Sequence, residues 1–532
     1  MVKTCQVLDE AILQRIRPYI SLNFVNLTDG NQWQPIWFVL LALLVGGLLA
    51  QLSPGESGTL LLRTAVIILT LIEPLSGLFA ALLTGPLGAT EARLLDSGQF
   101  YLLLSLLAWL AHGLRMRRLF VPRTFLALPL ALFTGVAAVS VINAPSYSFG
   151  LRELLKWVEI LAIMLLVVDR VTIWQARYRQ RGSAVVWLLV ALFAAGLSQA
   201  ALGIYQFALQ PDGPEHFLVL GRFYRAYGTF NQPNPFGGFL NFTAVLALGI
   251  LLSYLPVLWQ IVRKWRFKYP ISSLQSPIWL PVLGVGLATA VSLLGVIVSW
   301  SRGAWLSLAV ATAVLLLFWP RKLWQGVLLL LVGGGLLLAG IQVGLVPASV
   351  TERITSFRQD LRFGDVRGED ITDENYAVLE RLAHWQAALA MAEDHPWLGV
   401  GFGNYEPAYA DYALINWPYP LGHAHNYYLN LLAETGIIGL LAYLLLWTAV
   451  FWQTVRVIRQ IDGWQRGVAL GLLGVWVALT THHLVDKLYV NNIYIQLGAL
   501  FGLLQLLDDK KLNRKERQEC KEIKEKSLRA LR

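Results

Sequence analysis

Residues 278–346 read IWLPVLGVGLATAVSLLGVIVSWSRGAWLSLAVATAVLLLFWPRKLWQGVLLLLVGGGLLLAGIQVGLV, three long apolar runs with short polar interruptions around Arg302 and Arg321. A helix needs about 20 mostly apolar residues to cross a bilayer, where every backbone polar group must be bonded within the segment. Three such runs in direct succession predict three membrane-spanning helices. The fold class that follows is all-α: a polytopic integral membrane protein.

The same pattern continues along most of the 532-residue chain. Apolar residues make up 56% of it and charged residues only 14%, against roughly 25% charged residues in soluble domains. We predict about 13 spans, within a range of about 12–14 transmembrane helices. Glu73-Pro74 interrupts the second span, which is therefore either two shorter helices or a re-entrant pair, and leaves the side of the N-terminus open. The predicted spans are 36–52, 64–84, 98–114, 124–142, 152–168, 184–208, 237–258, 278–299, 303–319, 324–346, 431–453, 467–485 and 491–507.

The positive charges fall in alternate connections between these spans. The net charge is +10, and because the basic residues cluster in short loops they indicate topology rather than nucleic-acid binding. The side that carries them is predicted to be cytoplasmic. The basic clusters are Arg115, Arg117, Arg118 and Arg123; Arg177, Arg179 and Arg181; Arg263, Lys264, Arg266 and Lys268; Arg321 and Lys322; Arg456, Arg459 and Arg466; and the tail from Lys510 to Arg532.

One long connection faces the other side and is rich in acids. Within it, Leu379, Leu382, Trp385 and Ala388 recur at helical spacing, which predicts an amphipathic helix that ends before Pro396. The predicted segments are 1–35, an N-terminal interfacial segment without the features of a secretory signal; 36–346, the N-terminal transmembrane helices; 347–430, the large outer loop; 431–508, the C-terminal transmembrane helices; and 509–532, a basic cytoplasmic tail near lipid headgroups.

The end of the large loop contains imidazole side chains. His423, His425 and Asn426 stand directly before an apolar helix, at the predicted outer boundary of the membrane. An imidazole with its ordinary pKa near 6.5 can take a proton from a hydroxyl at neutral pH, so His425 is a candidate general base. The alternative is an interfacial histidine that only forms hydrogen bonds.

Arginines occur in the short outer connections as well. Arg302 lies in a tight turn between two spans, and Arg222 and Arg225 precede a turn-forming Asn-Gln-Pro-Asn-Pro stretch. A guanidinium group keeps its charge and presents a planar fork that fits phosphate oxygens. Converging arginines without a comparable row of carboxylates predict an anion site. The alternative for Arg302 is a side chain that reaches toward lipid headgroups.

Metal and cofactor sites are not indicated. The chain has only two cysteines, Cys5 and Cys520, and His423 with His425 has no evident third zinc ligand beyond His395 or the distant His482 and His483. Asp486 and Lys487 follow that distant pair, and we favour an interfacial role for this group over a place in the same cavity. Gly399, Gly401 and Gly403 follow a helix rather than a strand, which indicates a turn and not a phosphate loop.

The pattern His425-Asn426, nine residues, Gly436, two residues and Gly439 resembles the loop signature of bacterial O-antigen ligases. Further similarity lies in Arg302 with Leu306, in RAYGTFNQPNPFGG, and in Arg381 with the HPWLGVGFGNY run, so that most of residues 220–445 is covered. The resemblance implies a multispan enzyme of the bacterial inner membrane. Such an enzyme moves a glycan from undecaprenyl diphosphate to an acceptor at the periplasmic side, without a metal.

Carried onto this chain, the resemblance gives His425 the role of activating the acceptor hydroxyl. Arg302 and Arg225 are then expected to neutralise the leaving diphosphate, with Arg222 in reserve, and Asn426, Arg381 and His423 to contact substrate. The implied partners are the lipid-linked glycan donor, an acceptor such as lipid A core, a glycan or a protein, and membrane lipids. No cofactor is expected.

Other functions stay open. O-antigen polymerases, protein O-oligosaccharyltransferases and proteins linked to bicarbonate transport resemble the same superfamily. A transporter would have ionisable groups near mid-membrane, for which Glu73 and Glu159 are candidates, but its two halves would show a repeat and we find none. A scaffold would have no reason to gather arginines and a histidine at one face.

Overall fold

The computed structural model describes residues 53–91, 95–117, 122–178, 183–268, 279–355, 365–372 and 375–508. The predicted N-terminal segment, the first span at 36–52 and the basic tail lie outside these residues. The chain divides into two compact units, one made of 1–68 with 510–532 and the other of 69–509. In the first unit the described part is 53–68, which is almost entirely helical. Apart from most of α1, the second unit contains the features described below.

Helices dominate the described residues. They are α1 (Pro54–Ile72), α2 (Pro74–Thr84), α3 (Ser97–Arg115), α4 (Ala127–Ser140), α5 (Tyr147–Tyr178), α6 (Ser183–Ala208), α7 (Pro233–Lys268), α8 (Trp279–Val298), α9 (Arg302–Phe318), α10 (Leu323–Gln342), α11 (Ala348–Thr355), α12 (Tyr376–Asp394), α13 (Tyr405–Ala408), α14 (Tyr427–Ile458), α15 (Gly463–His482) and α16 (Ile493–Asp508). Short 3-10 turns occupy Gly85–Thr90, Val141–Asn143, Glu215–Phe217 and Tyr409–Asp411. Two short strands, β1 (Leu218–Val219) and β2 (Phe223–Tyr224), pair antiparallel.

The predicted class, an all-α polytopic membrane protein, is confirmed. Among the described residues, seven helices are long and apolar enough to cross a membrane: α1, α3, α6, α7, α8, α10 and α14. Shorter apolar helices occur at Pro74–Thr90, Ala127–Ser140, Arg302–Phe318 and Ile493–Asp508. The predicted total of about 13 spans stays a prediction.

Two successive helices, α1 and α2, lie on either side of the interruption at Glu73-Pro74, as both alternatives require. Glu73 adopts an extended conformation with φ −139° and ψ 107°, and its carboxylate accepts a hydrogen bond from the Leu75 amide at the start of α2. The same carboxylate pairs with the buried Arg170 guanidinium of α5, with 2.7 Å between Nη2 and Oε2. The candidate transport residue Glu73 is therefore held in an ion pair.

Glycines bring α7 and α15 into close contact. A Cβ atom added at Gly249 would lie 2.3 Å from the backbone nitrogen of Gly471, and one at Gly467 would lie 2.5 Å from the Ser253 hydroxyl. Small residues let two helix backbones approach closely, which membrane helices use because the lipid itself gives no hydrophobic driving force between them. The two helices therefore pack backbone against backbone over several turns.

The long helix α14 is broken at Gly436. This residue has φ 62° and ψ −167°, so the helical hydrogen bonding is interrupted there. Residues 396–401, which we call the docking segment, lie against the break. The Ile437 amide donates to the Pro396 carbonyl at 2.8 Å, and the Val400 amide donates to the Ala433 carbonyl at 2.9 Å. The large loop is thereby attached to a membrane helix through backbone groups.

The predicted glycine turn is confirmed in this segment. Gly399, Gly401 and Gly403 all have positive φ angles, of 64°, 105° and 76°. A Cβ atom at Gly399 would lie 2.3 Å from the Glu434 backbone carbon. These glycines allow the docking segment to approach α14, and the helix before them, α12, matches the predicted amphipathic helix of the large loop.

We predict that Gly436→Ala destabilises the protein by at least about 2 kcal/mol, because a left-handed residue with a Cβ is strained. The new atom would also lie 2.3 Å from the Trp397 carbonyl carbon. The measurement is thermal unfolding of the purified protein in detergent. Gly335→Ala is the matched control, since it lies inside α10 with open space around the added atom. Equal loss of stability in both variants would show that the break in α14 is dispensable.

Candidate functional site

The turn between α8 and α9 collects three guanidinium groups. The Nε of Arg225 donates to the Ser299 carbonyl at 3.2 Å, and the Nη2 of Arg353 donates to the Trp300 carbonyl at 3.4 Å. Arg302 is the first residue of α9. The arginines come from three separate parts of the chain. The positive end of the α9 helix dipole lies at the same place and favours the same kind of ligand, an anion.

The backbone of this turn is held in an unusual conformation. Trp300 has φ 53°, in the left-handed region. Ser301 caps α9, and its hydroxyl donates to the side-chain carbonyl of Asn234 at 2.8 Å. That carbonyl also accepts a hydrogen bond from Arg225 at 3.4 Å. The Ala226 amide donates to the Val298 carbonyl at 3.0 Å, which fastens the Arg225 loop to the turn.

Arg381 of α12 adds a fourth guanidinium. Burial, together with the positive charges of Arg353, Arg302 and Arg381, lowers the pKa of Arg225 to about 9. Burial and the charges of Arg302 and Arg381 likewise lower the pKa of Arg353 to about 10. Within the described part of the chain, no carboxylate forms an ion pair with Arg225, Arg353 or Arg381. We call Arg225, Arg302, Arg353 and Arg381 the arginine cluster, and a concentration of positive charge of this kind suits an anion.

The imidazole of His425 lies between two other histidines. Its ring centroid is 4.5 Å from that of His423 and 5.5 Å from that of His384. Both ring nitrogens of His425 are buried, and among the described residues neither has a hydrogen-bond partner. Burial, with the neighbouring His423 and the charge of Arg381, lowers its pKa to about 3. The side chain is therefore neutral at neutral pH and has a lone pair available.

His423 is anchored by a carboxylate from the far end of the chain. Its Nε2 lies 3.0 Å from Oδ1 of Asp486, which follows α15. Burial opposes the charge of Asp486, but the hydrogen bond from His423 and the nearby imidazoles hold the pKa of its carboxyl well below the usual range. The buried ammonium group of the next residue, Lys487, pairs with Glu153 of α5 at 3.2 Å.

The interfacial role favoured from sequence for Asp486 was wrong, since the carboxylate of Asp486 contacts His423.

Two side chains connect the arginine cluster to the histidines. The charge of Arg381 acts on both Arg225 and His425. His482, at the end of α15, lies beside the start of α9: a Cβ atom added at Gly303 would be 3.6 Å from its Nε2. Both ring nitrogens of His482 are buried without a hydrogen-bond partner. The two groups of side chains therefore lie close to each other.

Asp486 also completes a set of possible metal ligands. One ligand atom each from His423, His425 and Asp486 lies within 4.8 Å of the others. Two imidazoles and a carboxylate are a set that zinc can use. The sequence analysis did not identify Asp486 as a third ligand, because neither spacing nor local pattern connects position 486 with the two histidines. The direct 3.0 Å contact between His423 and Asp486 equally describes a hydrogen-bonded pair.

The remaining predicted residues have other surroundings. Arg222 is exposed and lies over the Phe223 ring at 4.4 Å, and it is not among the charges that act on Arg225. Asn426 is the N-cap of α14, and its Oδ1 accepts from the amides of Tyr428 and Leu429 at 3.0 and 3.2 Å. This N-cap contact gives a structural reason for an asparagine at this position of the signature. Arg353 was missed because α11, with eight residues, is too short for periodicity to mark it.

Residues 287–444 match the family model described as O-antigen ligase. This match, which covers about 30% of the chain, supports membership of the O-antigen ligase family. The matched region contains Arg302, Arg353, Arg381, His423 and His425. The seven long apolar helices among the described residues indicate a multi-pass membrane protein, and the matched family is of the ligase or glycosyltransferase type. Among curated proteins, no match to this chain was found.

Proposed function

We propose that the protein moves a glycan from undecaprenyl diphosphate to an acceptor hydroxyl on the periplasmic side of the bacterial inner membrane. The observation that carries this proposal is the position of the His425 imidazole close to a cluster of arginines whose positive charges act on one another. One part of such a site can accept a proton while the other holds an anion. Lipid-linked diphosphates provide an anion that is already attached to the membrane.

The proposed reaction is a displacement at the anomeric carbon of the donor sugar. The bond between this carbon and the phosphate oxygen breaks, and a bond from the acceptor oxygen forms. The acceptor proton passes to a ring nitrogen of His425, and the bonding electrons leave with the diphosphate. Negative charge grows on the leaving group, where Arg302 and Arg225 stabilise it; fixed charges are effective here because they need no reorganisation during the reaction.

Donor binding also favours proton transfer to His425. The positive charge of Arg381 contributes to the lowered pKa of this imidazole. A bound diphosphate offsets positive charge in the cluster, so the pKa of His425 rises toward the range in which an imidazole is an effective base. The histidine is thus proposed to become a better proton acceptor once the donor is in place.

We propose that the reaction is independent of a metal. The arginine cluster can provide the positive charge that a divalent cation gives in other glycosyl transfers, and guanidinium groups bind phosphate oxygens two at a time. In this proposal Asp486 serves to hold His423 beside His425 rather than to bind an ion.

The membrane orientation can be tested by cysteine labelling in a Cys5→Ser, Cys520→Ser background. Ile415→Cys and Leu220→Cys introduce thiols at exposed positions of the two outer connections. We expect a membrane-impermeant maleimide to label both in intact spheroplasts. Asp462→Cys is the control on the predicted cytoplasmic side and should react only after permeabilisation. Labelling of positions 415 and 220 only after permeabilisation would refute the periplasmic orientation.

The central prediction concerns His425. Purified protein, given a lipid-diphosphate glycan donor and an acceptor, should transfer the glycan with EDTA present, and His425→Ala should reduce transfer by about 10²-fold or more because the general base is lost. Product is measured by mass spectrometry, and folding by size-exclusion chromatography. His395→Ala is the matched control, an exposed histidine of the same loop, and should retain activity. Turnover that stops with EDTA would remove the metal-independent mechanism.

A second prediction separates charge from geometry at Arg302. Arg302→Lys keeps the positive charge but lacks the planar fork, so we expect a loss of about tenfold or more in kcat/KM. Arg302→Ala should lose on the order of 10²–10³-fold. Steady-state kinetics with varied donor concentration measures both. If Arg302→Lys is as active as the parent protein, the bidentate contact to phosphate does not exist.

A further inference from the structure

The turn before α14, which carries His425, has a fixed backbone. His425 has φ 52°, a left-handed conformation that is uncommon for a residue with a Cβ atom. The Ala424 amide donates to Oδ1 of Asn430 at 3.1 Å, and the Tyr427 amide donates to the His483 carbonyl at 2.8 Å. The first bond holds the turn against α14, and the second holds it against the end of α15. The backbone around His425 is therefore set before any ligand binds.

A carboxylate comes to the same place from the connection after α15. The Asp486 amide donates to the His482 carbonyl at 3.0 Å, and the Lys487 amide donates to Oδ1 of Asp486 at 2.8 Å. Nε2 of His423 lies 3.0 Å from the same oxygen. One possible ligand atom each from His423, His425 and Asp486 lies within 4.8 Å of the others. Two separate segments of the chain thus bring two imidazoles and a carboxylate together.

Several nitrogen atoms of this group lack partners. Nδ1 of His423 and both ring nitrogens of His425 are buried, and none of them has a hydrogen-bond partner among the described residues. Buried polar atoms are normally bonded, so an unsatisfied one calls for a ligand such as a water molecule or an ion. Mg²⁺ and Ca²⁺ require about six or more oxygen ligands, whereas zinc accepts imidazole nitrogens together with a carboxylate. The donor atoms of this group therefore favour zinc.

The spacing of the three side chains is close to that of a zinc site. Zinc binds imidazole nitrogens and carboxylate oxygens at roughly 2.0–2.2 Å in a tetrahedral arrangement, so its ligands lie about 3.3–3.6 Å apart. The separations here include 3.0 Å between His423 and Asp486 and reach no more than 4.8 Å. Side-chain shifts of about 1 Å are enough to surround an ion. An ion can enter beside His423, because Leu421 and Gly422 before it are exposed.

We propose that His423, His425 and Asp486 form an inhibitory zinc site. Binding of the ion follows from the geometry, and its effect on turnover rests on the proposed function. A neutral imidazole has a lone pair on one nitrogen and a proton on the other, so His425 bound to zinc cannot accept the proton of the acceptor hydroxyl. The charge of Arg381 also acts on His425. Because this charge repels a dication, zinc should bind reversibly and be removed by EDTA.

The binding test uses the full-length protein in detergent, in the Cys5→Ser, Cys520→Ser background and without a histidine tag, so that other strong zinc ligands are removed. Zinc affinity is measured by competition with a chromophoric chelator, and one ion per chain should bind. Asp486→Asn and His423→Ala each remove a ligand. Each should weaken zinc binding by at least about tenfold, the smallest loss typical even for residues that only support the metal ligands.

The chain offers matched controls for both ligand types. His395→Ala and Asp411→Asn change an exposed histidine and an exposed aspartate of the same loop, and both variants should bind zinc like the parent protein. Mg²⁺ should not displace the zinc, because the site has a single carboxylate. Equal zinc affinity in Asp486→Asn, His423→Ala and the parent protein would overturn the inference.

Two measurements without a substitution at the site do not depend on the folding of these variants. X-ray absorption at the zinc edge should show two imidazoles and oxygen ligands around the ion. Diethylpyrocarbonate modifies histidines, and mass spectrometry locates the modified positions: zinc should protect His423 and His425 and leave His395 reactive. A zinc spectrum without imidazole ligands, or equal modification of His423 with and without zinc, would overturn the inference.

Glycan transfer from the lipid-diphosphate donor tests the effect on turnover. Saturating zinc should slow transfer by about 10²-fold, as loss of a general base does, and EDTA should restore the rate. In Asp486→Asn, the zinc concentration that halves that variant's own zinc-free rate should rise by the same factor as the dissociation constant. Equal sensitivity of the variant and the parent protein would place the ion on the donor diphosphate instead and overturn the inference.

Failure of this inference can be told apart from failure of the proposed function. Normal transfer by a protein that binds no zinc would overturn the zinc site alone. Zinc held by the three residues without slower transfer would overturn the inhibition and also the role of His425 as proton acceptor. Faster transfer with zinc would overturn the inhibition together with the metal-independent mechanism.

Discussion

The backbone contact between the docking segment and the break in α14 is the constraint on which the site depends. It combines amide-to-carbonyl bonds on both sides of Gly436, among them Gly401 to Glu434 at 2.9 Å, with the Glu434 carboxylate accepting from the Tyr405 amide at 3.2 Å. Ten positions before Gly436 lies Asn426, the N-cap of the same helix, next to His425. A loop fixed at the break and at the helix start has little freedom to move its histidines. Close packing therefore explains the glycines of the signature.

The site gathers like charges, and the protein stabilises them with carbonyl groups rather than with acids. Arg225, Arg353 and Arg381 all donate to backbone carbonyls, those of Ser299, Trp300 and Ala377. Carbonyl dipoles orient a guanidinium group without neutralising it, so its charge remains available to a ligand. An aspartate at any of these positions would form an ion pair and compete with a phosphate. At His423, in contrast, a carboxylate is used, since Asp486 holds its ring in place. The ring nitrogens of the neighbouring His425 have no hydrogen-bond partner among the described residues.

Much of this arrangement was predictable from sequence, because the signals were local. The apolar runs predicted the polytopic class, Pro74 predicted a break after Glu73, and the resemblance selected Arg225, Arg302, Arg381 and His425. Sequence could not predict contacts made by tertiary structure alone. Asp486 comes from a connection beyond α15, and Arg353 from a helix of eight residues. Arg222 and Arg225 look equivalent in sequence, but only Arg225 is turned toward Ser299, while Arg222 stays at the surface.

The glycine contact between α7 and α15 has a consequence for how the enzyme tolerates its surroundings. Near the start of α7 lies Asn234, which holds Arg225, and the end of α15 carries His482, whose ring is close to the Gly238 backbone of α7: a Cβ atom there would lie 3.3 Å from Cε1. Two helices that pack backbone against backbone move together as one rigid unit. The separation between Asn234, which contacts Arg225, and His482 is thus set by the packing of these two helices, and changes in bilayer thickness or tension can tilt the helix pair without altering that separation.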